Sequence, residues 1–215
     1  MARASQNTPD FAFEDQSLAA VGGPVGGVDE AGRGPLAGPV VAAVVVLDRD
    51  RTPEGLNDSK LLKASAREAL YEEITRRHVW SVGIVGPADI DALNILRATM
   101  HAMTLAVRQL DQTPAMCLVD GNRVPDLPCR AQAIVKGDSR SLSIAAASIV
   151  AKVTRDRIMV ALDQTFPGYG WAQNMGYGTK AHMQGLRDLG VTPEHRRSFA
   201  PVAKALVQRP SKRSR

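Results

Sequence analysis

The order of apolar segments predicts an α/β fold with a central mixed sheet flanked by helices. Residues 25–29 and 40–47 are apolar runs too continuous for one-sided exposure, and a single glycine-rich loop separates them, so they read as paired central strands. Downstream, strand-like runs at 79–85, 116–120 and 133–135 alternate with stretches of helical spacing, the pattern of a sheet covered on both faces. At 215 residues and 44% hydrophobic, the chain fits one domain with a sizeable core.

Taken in order, residues 1–24 mix polar residues with Pro9, Gly22, Gly23 and Pro24 and are expected to be a disordered leader. After the two strands, Ser65-Ala66-Arg67-Glu68 has the form of a capping box and opens a helix to about residue 77, with Ala69, Leu70 and Ile74 on one face. A strand at 79–85 leads into one helical stretch, 88–110. Short strands at 116–120 and 133–135 precede a long helix over 139–166, which Pro167-Gly168 ends. Within that helix Ile144, Ala147 and residues 149–151 are assigned to the core, and Lys152, Arg155 and Arg157 to a solvated face. Tyr169 and Trp171 read as packing residues. No internal repeat is visible.

The formal net charge of +5 points to a polyanionic partner, but Lys204, Arg209, Lys212, Arg213 and Arg215 crowd residues 203–215. Most of the basic signal is therefore a tail. Cys117 and Cys129 show neither C-x-x-C nor zinc-finger spacing and read as inert thiols of a reduced, cytoplasmic protein. The longest apolar run, 40–47, is far short of the ~20 residues of a membrane span, and no signal-peptide pattern opens the chain. His78, His101, His182 and His195 have no ligand spacing.

Chemistry concentrates in Gly27-Val28-Asp29-Glu30-Ala31-Gly32-Arg33-Gly34-Pro35, where two carboxylates end an apolar strand and bare backbone follows. Asp120 ends another strand, and Asp138 stands between a strand and the long helix. Alone, each acid reads as a turn or cap residue. Together at strand ends the four would converge, and like charges ~4 Å apart repel by about 4 kcal/mol at an effective dielectric near 20. Divalent ions supply the compensation, and an all-oxygen donor set selects Mg²⁺ or Mn²⁺ over zinc. A two-metal carboxylate site suits in-line phosphodiester hydrolysis and needs no histidine. The glycine loop is not a P-loop, because no Gly-Lys-Ser/Thr follows, and Pro35 interrupts any dinucleotide fingerprint.

The opening segment resembles that of type 2 ribonucleases H, the ribonuclease HII family, and further blocks of that pattern recur in order. These are Asp58-Ser59-Lys60, Val119-Asp120-Gly121-Asn122, Lys136-Gly137-Asp138 running into the helix, and Gly176-Tyr177-Gly178-Thr179. The resemblance spans roughly residues 25–202 and implies a ribonuclease H-like fold with a small helical C-terminal extension and a flexible basic tail at 203–215. It further implies a metal-dependent endoribonuclease, with Asp29, Glu30, Asp120 and Asp138 as catalytic metal ligands for Mn²⁺ or Mg²⁺. The implied substrates are RNA–DNA hybrids and duplex DNA containing ribonucleotides, cut 5′ to the ribonucleotide to leave 3′-hydroxyl and 5′-phosphate ends.

By the same resemblance the backbone of Gly32, Arg33 and Gly34 meets the 2′-hydroxyl, Arg33 and Lys60 take phosphates, Ser59 adjoins the substrate, and Tyr177 stacks on the following sugar. Many family members carry Pro where Gly178 stands, which leaves this loop looser. A monomer is expected, and no glutamine-led aromatic clamp-binding motif stands near the C-terminus. Two other readings stay open: a DNA nuclease or strand-transfer enzyme of the same fold group, told apart by its indifference to a 2′-hydroxyl, and a hybrid-binding protein without turnover.

Overall fold

The computed structural model describes residues 8–207. Its centre is a five-stranded mixed sheet in the order β3-β2-β1-β4-β5. The strands are β1 (Val25–Ala31), β2 (Val40–Val46), β3 (Val79–Val85), β4 (Met116–Asp120) and β5 (Arg130–Ile134). β1 pairs antiparallel with β2 and β2 with β3, whereas β1–β4 and β4–β5 are parallel. β1 and β2, the two strands expected to be central, thus occupy the interior of the sheet, with residues 25–29 and 40–45 buried.

Helices cover both faces. On one, α4 (Ile95–Arg108) packs Ala98, Ala102, Met103 and Ala106 on Val28, Val40, Ala42 and Val44. On the other, α5 (Leu142–Thr165) and α2 (Ala64–Arg77) enclose Ala43 and Val45 with Ala146, Ile149, Val150, Leu70 and Ile74. α5 crosses β1 so closely that a Cβ at Gly27 would lie 2.1 Å from the Ser143 carbonyl carbon. Only hydrogen fits there. The C-terminal extension comprises the short α6 (Trp171–Asn174), α7 (Lys180–Leu189) and α8 (Ala200–Val207).

Several expectations need correction. The described part of the leader is not disordered: α1 (Ala12–Val21) is a helix capped at Ala12 N–H by Asp10, with Phe13 packed beside Val25, Leu118, Ile134 and Ile144. Residues 1–7 and 208–215, the rest of the expected leader and most of the basic tail, lie outside the described residues; residues 203–207 complete α8.

The stretch 88–110 is two helices, α3 (Pro87–Leu93) and α4, because Asn94 takes a left-handed φ of 67° and its Oδ1 accepts from Leu96 and Arg97 N–H. Such a cap starts a new helix. Ser65 does not cap α2, which begins at Ala64 after Lys63; Glu68 instead accepts from Arg157 of α5 at 2.7 Å. β5 begins at Arg130, three residues before the expected start, where the parallel register with β4 sets it.

Candidate active site

Parallel pairing of β1 with β4 aligns Val28 with Val119, so Asp29 and Asp120 leave the sheet side by side at the carboxyl ends of neighbouring strands. That end of an open α/β sheet is where ligands bind. Asp138 sits in the single 3₁₀ turn Gly137–Ser139 that joins β5 to α5. Asp29 and Asp138 are buried, while Glu30 and Asp120 are half-buried. A cavity of about 340 Å³ opens on this cluster, walled by Asp29, Glu30, Asp120, the loop Gly32-Arg33-Gly34, Ser59, Lys60, Lys152, Arg155 and Tyr177. All the loop and acid residues singled out in the sequence therefore meet in one place, with Asp138 joined through Lys60 Nζ at 3.4 Å.

The electrostatics are those of an acid cluster short of positive charge. Burial, then Glu30, Asp120 and Asp138, push the Asp29 carboxyl well above its usual range. Burial also raises Glu30 against the opposing pull of the Arg33 guanidinium at 3.2 Å, and raises Asp138, with Asp120 and Asp58 adding to it and Lys60 opposing. Partial burial pulls Lys60 down, but Asp58, Asp138 and Asp29 outweigh it and its ammonium is held above the usual range.

Each acid has borrowed a nearby donor. Asp29 Oδ1 accepts from Glu30 N–H at 2.7 Å, Asp120 Oδ1 from Gly137 N–H at 2.6 Å, Glu30 from Arg33, and Asp138 from Lys60. Turned to these partners, no three acids among the described residues stand in a ready-made ligand cluster. The donor set nonetheless fits a hard divalent cation, being all oxygen and carrying excess negative charge.

The sequence did not disclose what holds the glycine loop. Arg196, fully buried, donates from Nε to Gly38 C=O (3.0 Å), from Nη1 to Arg33 C=O (3.0 Å), and from Nη2 to Gly32 C=O (2.5 Å) and Pro39 C=O (3.2 Å). In a trans peptide C=O and N–H point oppositely. Drawing the Gly32 and Arg33 carbonyls inward thus turns the N–H groups of Arg33 and Gly34 away from Arg196, and neither finds a protein acceptor among the described residues.

Arg155, expected on a solvated face, is also buried, and donates to Pro39, Ala37 and Met175 carbonyls at 2.9, 3.1 and 3.0 Å. Its place four residues from buried Ala151 and from buried Met159 was the available signal. A Cβ on Gly32, whose φ is +95°, would stand 2.0 Å from Arg155 Nε. Lys152 also departs from the expectation by lining the cavity, ion-paired to Asp156 at 2.7 Å, whereas Arg157 is exposed and bound to Glu68 and Glu72.

Tyr177, half exposed, faces the glycine loop: a Cβ on Gly34 would touch its Cε1 at 3.4 Å. Its carbonyl accepts from His182 Nδ1 at 3.0 Å, and the partners of His182 fix the protons. Trp171 Nε1–H can only donate, so His182 Nε2, 3.1 Å away, accepts and the ring hydrogen is on Nδ1. His195 Nε2–H then donates to His182 Nε2 at 3.0 Å, while His195 Nδ1 accepts from Thr192 N–H at 3.0 Å. Both rings are neutral, and every ring nitrogen is satisfied.

Burial first, then His182, lowers the His195 pKa to about 4, although the Thr192 backbone opposes. An unfolded histidine titrates near 6.5, so between these values the unfolded chain binds the extra proton. The contribution of His195 is full above pH 6.5 and is lost as pH falls toward 4, a difference of about 3 kcal/mol at 1.36 kcal/mol per pKa unit. Urea unfolding of wild type and His195→Gln from pH 7 to 4 should show the wild type losing that much more stability than the variant. Equal pH slopes would refute the assignment.

Acidic residues gathered at the carboxyl ends of parallel strands, beside a glycine loop with two amides unpaired among the described residues, are the arrangement of a nuclease of the ribonuclease H-like fold. The Ribonuclease HII family profile matches residues 26–202, and the chain belongs to that family. It is 59% identical to the ribonuclease HII of Paracoccus denitrificans (strain Pd 1222) over 94% of this chain and 97% of the relative, and 61% identical to that of Magnetococcus marinus over 84% and 86%. The crystal structure of ribonuclease H2 from Pyrococcus horikoshii OT3 superposes with a TM-score of 0.72 at 29% identity, covering 84% of this chain and 96% of that one. The chain is accordingly a type 2 ribonuclease H, an endoribonuclease and phosphodiester hydrolase.

Proposed function

We propose that this enzyme hydrolyses the RNA strand of RNA–DNA hybrids and cuts 5′ to ribonucleotides embedded in duplex DNA, leaving 3′-hydroxyl and 5′-phosphate ends, with Mg²⁺ or Mn²⁺ as cofactor. The observation that carries the reading is Asp29, 4% exposed, on a cavity wall it shares with Glu30 and Asp120, with Asp138 behind Lys60 and two amides that have no protein acceptor among the described residues. Asp29, Glu30, Asp120 and Asp138 would hold the ions. Bound there, such ions supply an activated water and stabilise the leaving oxygen.

The remaining roles belong to the chain's own groups. The Arg33 and Gly34 amides offer paired donors to a ribose hydroxyl, the group that separates RNA from DNA. Arg33 and Lys60 present cations to neighbouring phosphates. Ser59, buried at 5% exposure with its N–H on Ser148 Oγ, fixes the turn that aims Lys60. A labelled DNA duplex bearing one ribonucleotide, incubated with Mg²⁺, Mn²⁺ or chelator, tests the reading: a single cut 5′ to the ribonucleotide in either metal and none in chelator is expected. Cutting of the all-DNA duplex would favour the general DNA nuclease instead.

Tyr177 offers an exposed ring beside Gly34, suited to lie against a sugar that lacks a 2′-hydroxyl. Tyr177→Ala should therefore impair cleavage at a lone ribonucleotide in DNA more than within a long RNA strand. Loss of an aromatic stacking surface is worth about 1–3 kcal/mol, hence about tenfold or more in kcat/KM at the junction. Equal losses on the two substrates would mean that the ring supports its loop without selecting the neighbour.

A further inference from the structure

We infer that Glu14 of α1 is a positioning residue for Asp138, and that residues 10–14 form a working part of the active site though they lie outside the span 26–202 matched by the family profile. The inference rests on the reading of Asp138 as a metal-holding carboxylate.

Glu14 is 4% exposed, an unusual place for an acid on a helix near the start of a chain. Its Oε1 accepts from Ser141 Oγ at 2.7 Å and from Ser143 N–H at 2.9 Å. Ser141 is the N-cap of α5, its hydroxyl oxygen also accepting from Ile144 N–H at 3.2 Å. The carboxylate thus occupies the positive end of a 24-residue helix, where negative charge is favoured. Beside it, Asp10 bridges to Ser141, its N–H donating to Arg140 C=O (3.4 Å) and its C=O accepting from Leu142 N–H (3.2 Å). The Arg140 guanidinium lies 4.7 Å from the centre of the Phe13 ring.

Asp138 stands within a turn fastened at both ends. At the near end, Gly137 N–H is held by the Asp120 carboxylate at 2.6 Å. At the far end, Ser141 N–H closes back on Gly137 C=O at 2.8 Å while the Ser141 side chain is fixed by Glu14. Lys136, just before the turn, takes a φ of 56°, so this conformation is not one the local sequence favours unaided. Without Glu14 the far end loses the carboxylate that joins Ser141 Oγ to Ser143 N–H, and Asp138 loses part of its preset position. Its affinity for an ion should suffer, while duplex binding by the glycine loop and Lys60 should not.

The test titrates Mg²⁺ by calorimetry without substrate, and in parallel against cleavage of the single-ribonucleotide duplex, for the full-length wild type, Glu14→Ala, Glu14→Gln, Val107→Ala and Asp138→Asn. Val107 is a fully buried core residue on the α4 face and serves as a control for destabilisation alone. Removing a direct partner of a metal-holding group lowers metal affinity by about tenfold to a hundredfold, and Glu14, acting one step further out through Ser141, takes the lower end of that range. Glu14→Ala should accordingly raise the half-saturating Mg²⁺ about tenfold, with KM for the duplex at saturating Mg²⁺ unchanged. Glu14→Gln retains an Oε1 acceptor and should keep the Mg²⁺ requirement close to the wild-type value, and Val107→Ala should leave it at the wild-type value. If Glu14→Ala titrates like wild type, or Val107→Ala shifts as far, the positioning role is wrong. Full activity in Asp138→Asn would instead overturn the reading of Asp138 itself.

Discussion

Asp29→Asn should abolish nearly all cleavage while leaving the protein folded and at least as stable as wild type at neutral pH. The activity loss is expected to be on the order of a thousandfold or more, about 4 kcal/mol of transition-state stabilisation, because the substitution removes the most buried and most crowded charge of the ion-holding set. Stability moves the other way. The folded-state pKa of Asp29 is raised, chiefly by burial and then by Glu30 and Asp120, so the folded chain holds this proton more tightly than the unfolded chain, whose aspartates titrate near 3.9.

Ionising Asp29 in the fold therefore lowers stability as pH rises past the unfolded value. The advantage of Asn should be absent in acid, where both chains are neutral here, and grow as pH rises toward neutral without metal. Asn also keeps an Oδ1 that can accept from Glu30 N–H, so little packing is disturbed. Cleavage assays at saturating Mg²⁺, with urea unfolding in chelator at pH 4 and 7, check both halves. Wild-type turnover would end the metal-site reading, and a stability loss at pH 7 would show that Asp29 is structurally required.

The acids were legible because each ends an apolar segment beside a glycine or a turn, a position with no packing use for a carboxylate. The sheet was legible for a related reason: β2 is apolar at every position, and β1 has no polar residue before Asp29, so interior places suit them. Arg155 and Arg196 were not, since their partners are backbone carbonyls, most of them more than a hundred residues away, and a carbonyl leaves no mark in a sequence. α1 was missed because its helix is held by tertiary contacts of Phe13 and Glu14, while its polar composition reads as a solvated leader. The break at Asn94 likewise hid inside a continuous helical pattern, where one asparagine changes the backbone's direction without changing the hydrophobic spacing.

Gly27→Ala should be strongly destructive, lowering both stability and activity, while Gly26→Ala one residue earlier should be mild. At Gly26 the new methyl would meet Val44 Cγ2 at 3.2 Å and Val46 Cγ2 at 3.4 Å, side-chain ends that can give by a few tenths of an ångström. At Gly27 it would meet the Ser143 carbonyl carbon at 2.1 Å, the Ile144 nitrogen at 2.3 Å and the Ser143 oxygen at 2.3 Å, all backbone. Relief requires α5 to move off the sheet by about an ångström, and overpacking of a tight core costs about 1–3 kcal/mol, more where backbone must shift. Loss of about 3 kcal/mol or more is expected for Gly27→Ala and under about 1 kcal/mol for Gly26→Ala, measured by urea unfolding. The displaced first turn of α5 carries Ser141 and Ser143, the groups that fasten the turn bearing Asp138 to Glu14. Cleavage by the folded fraction of Gly27→Ala should therefore also fall, with a raised Mg²⁺ requirement. Wild-type stability in this variant would mean that α5 does not press on β1 as closely as described.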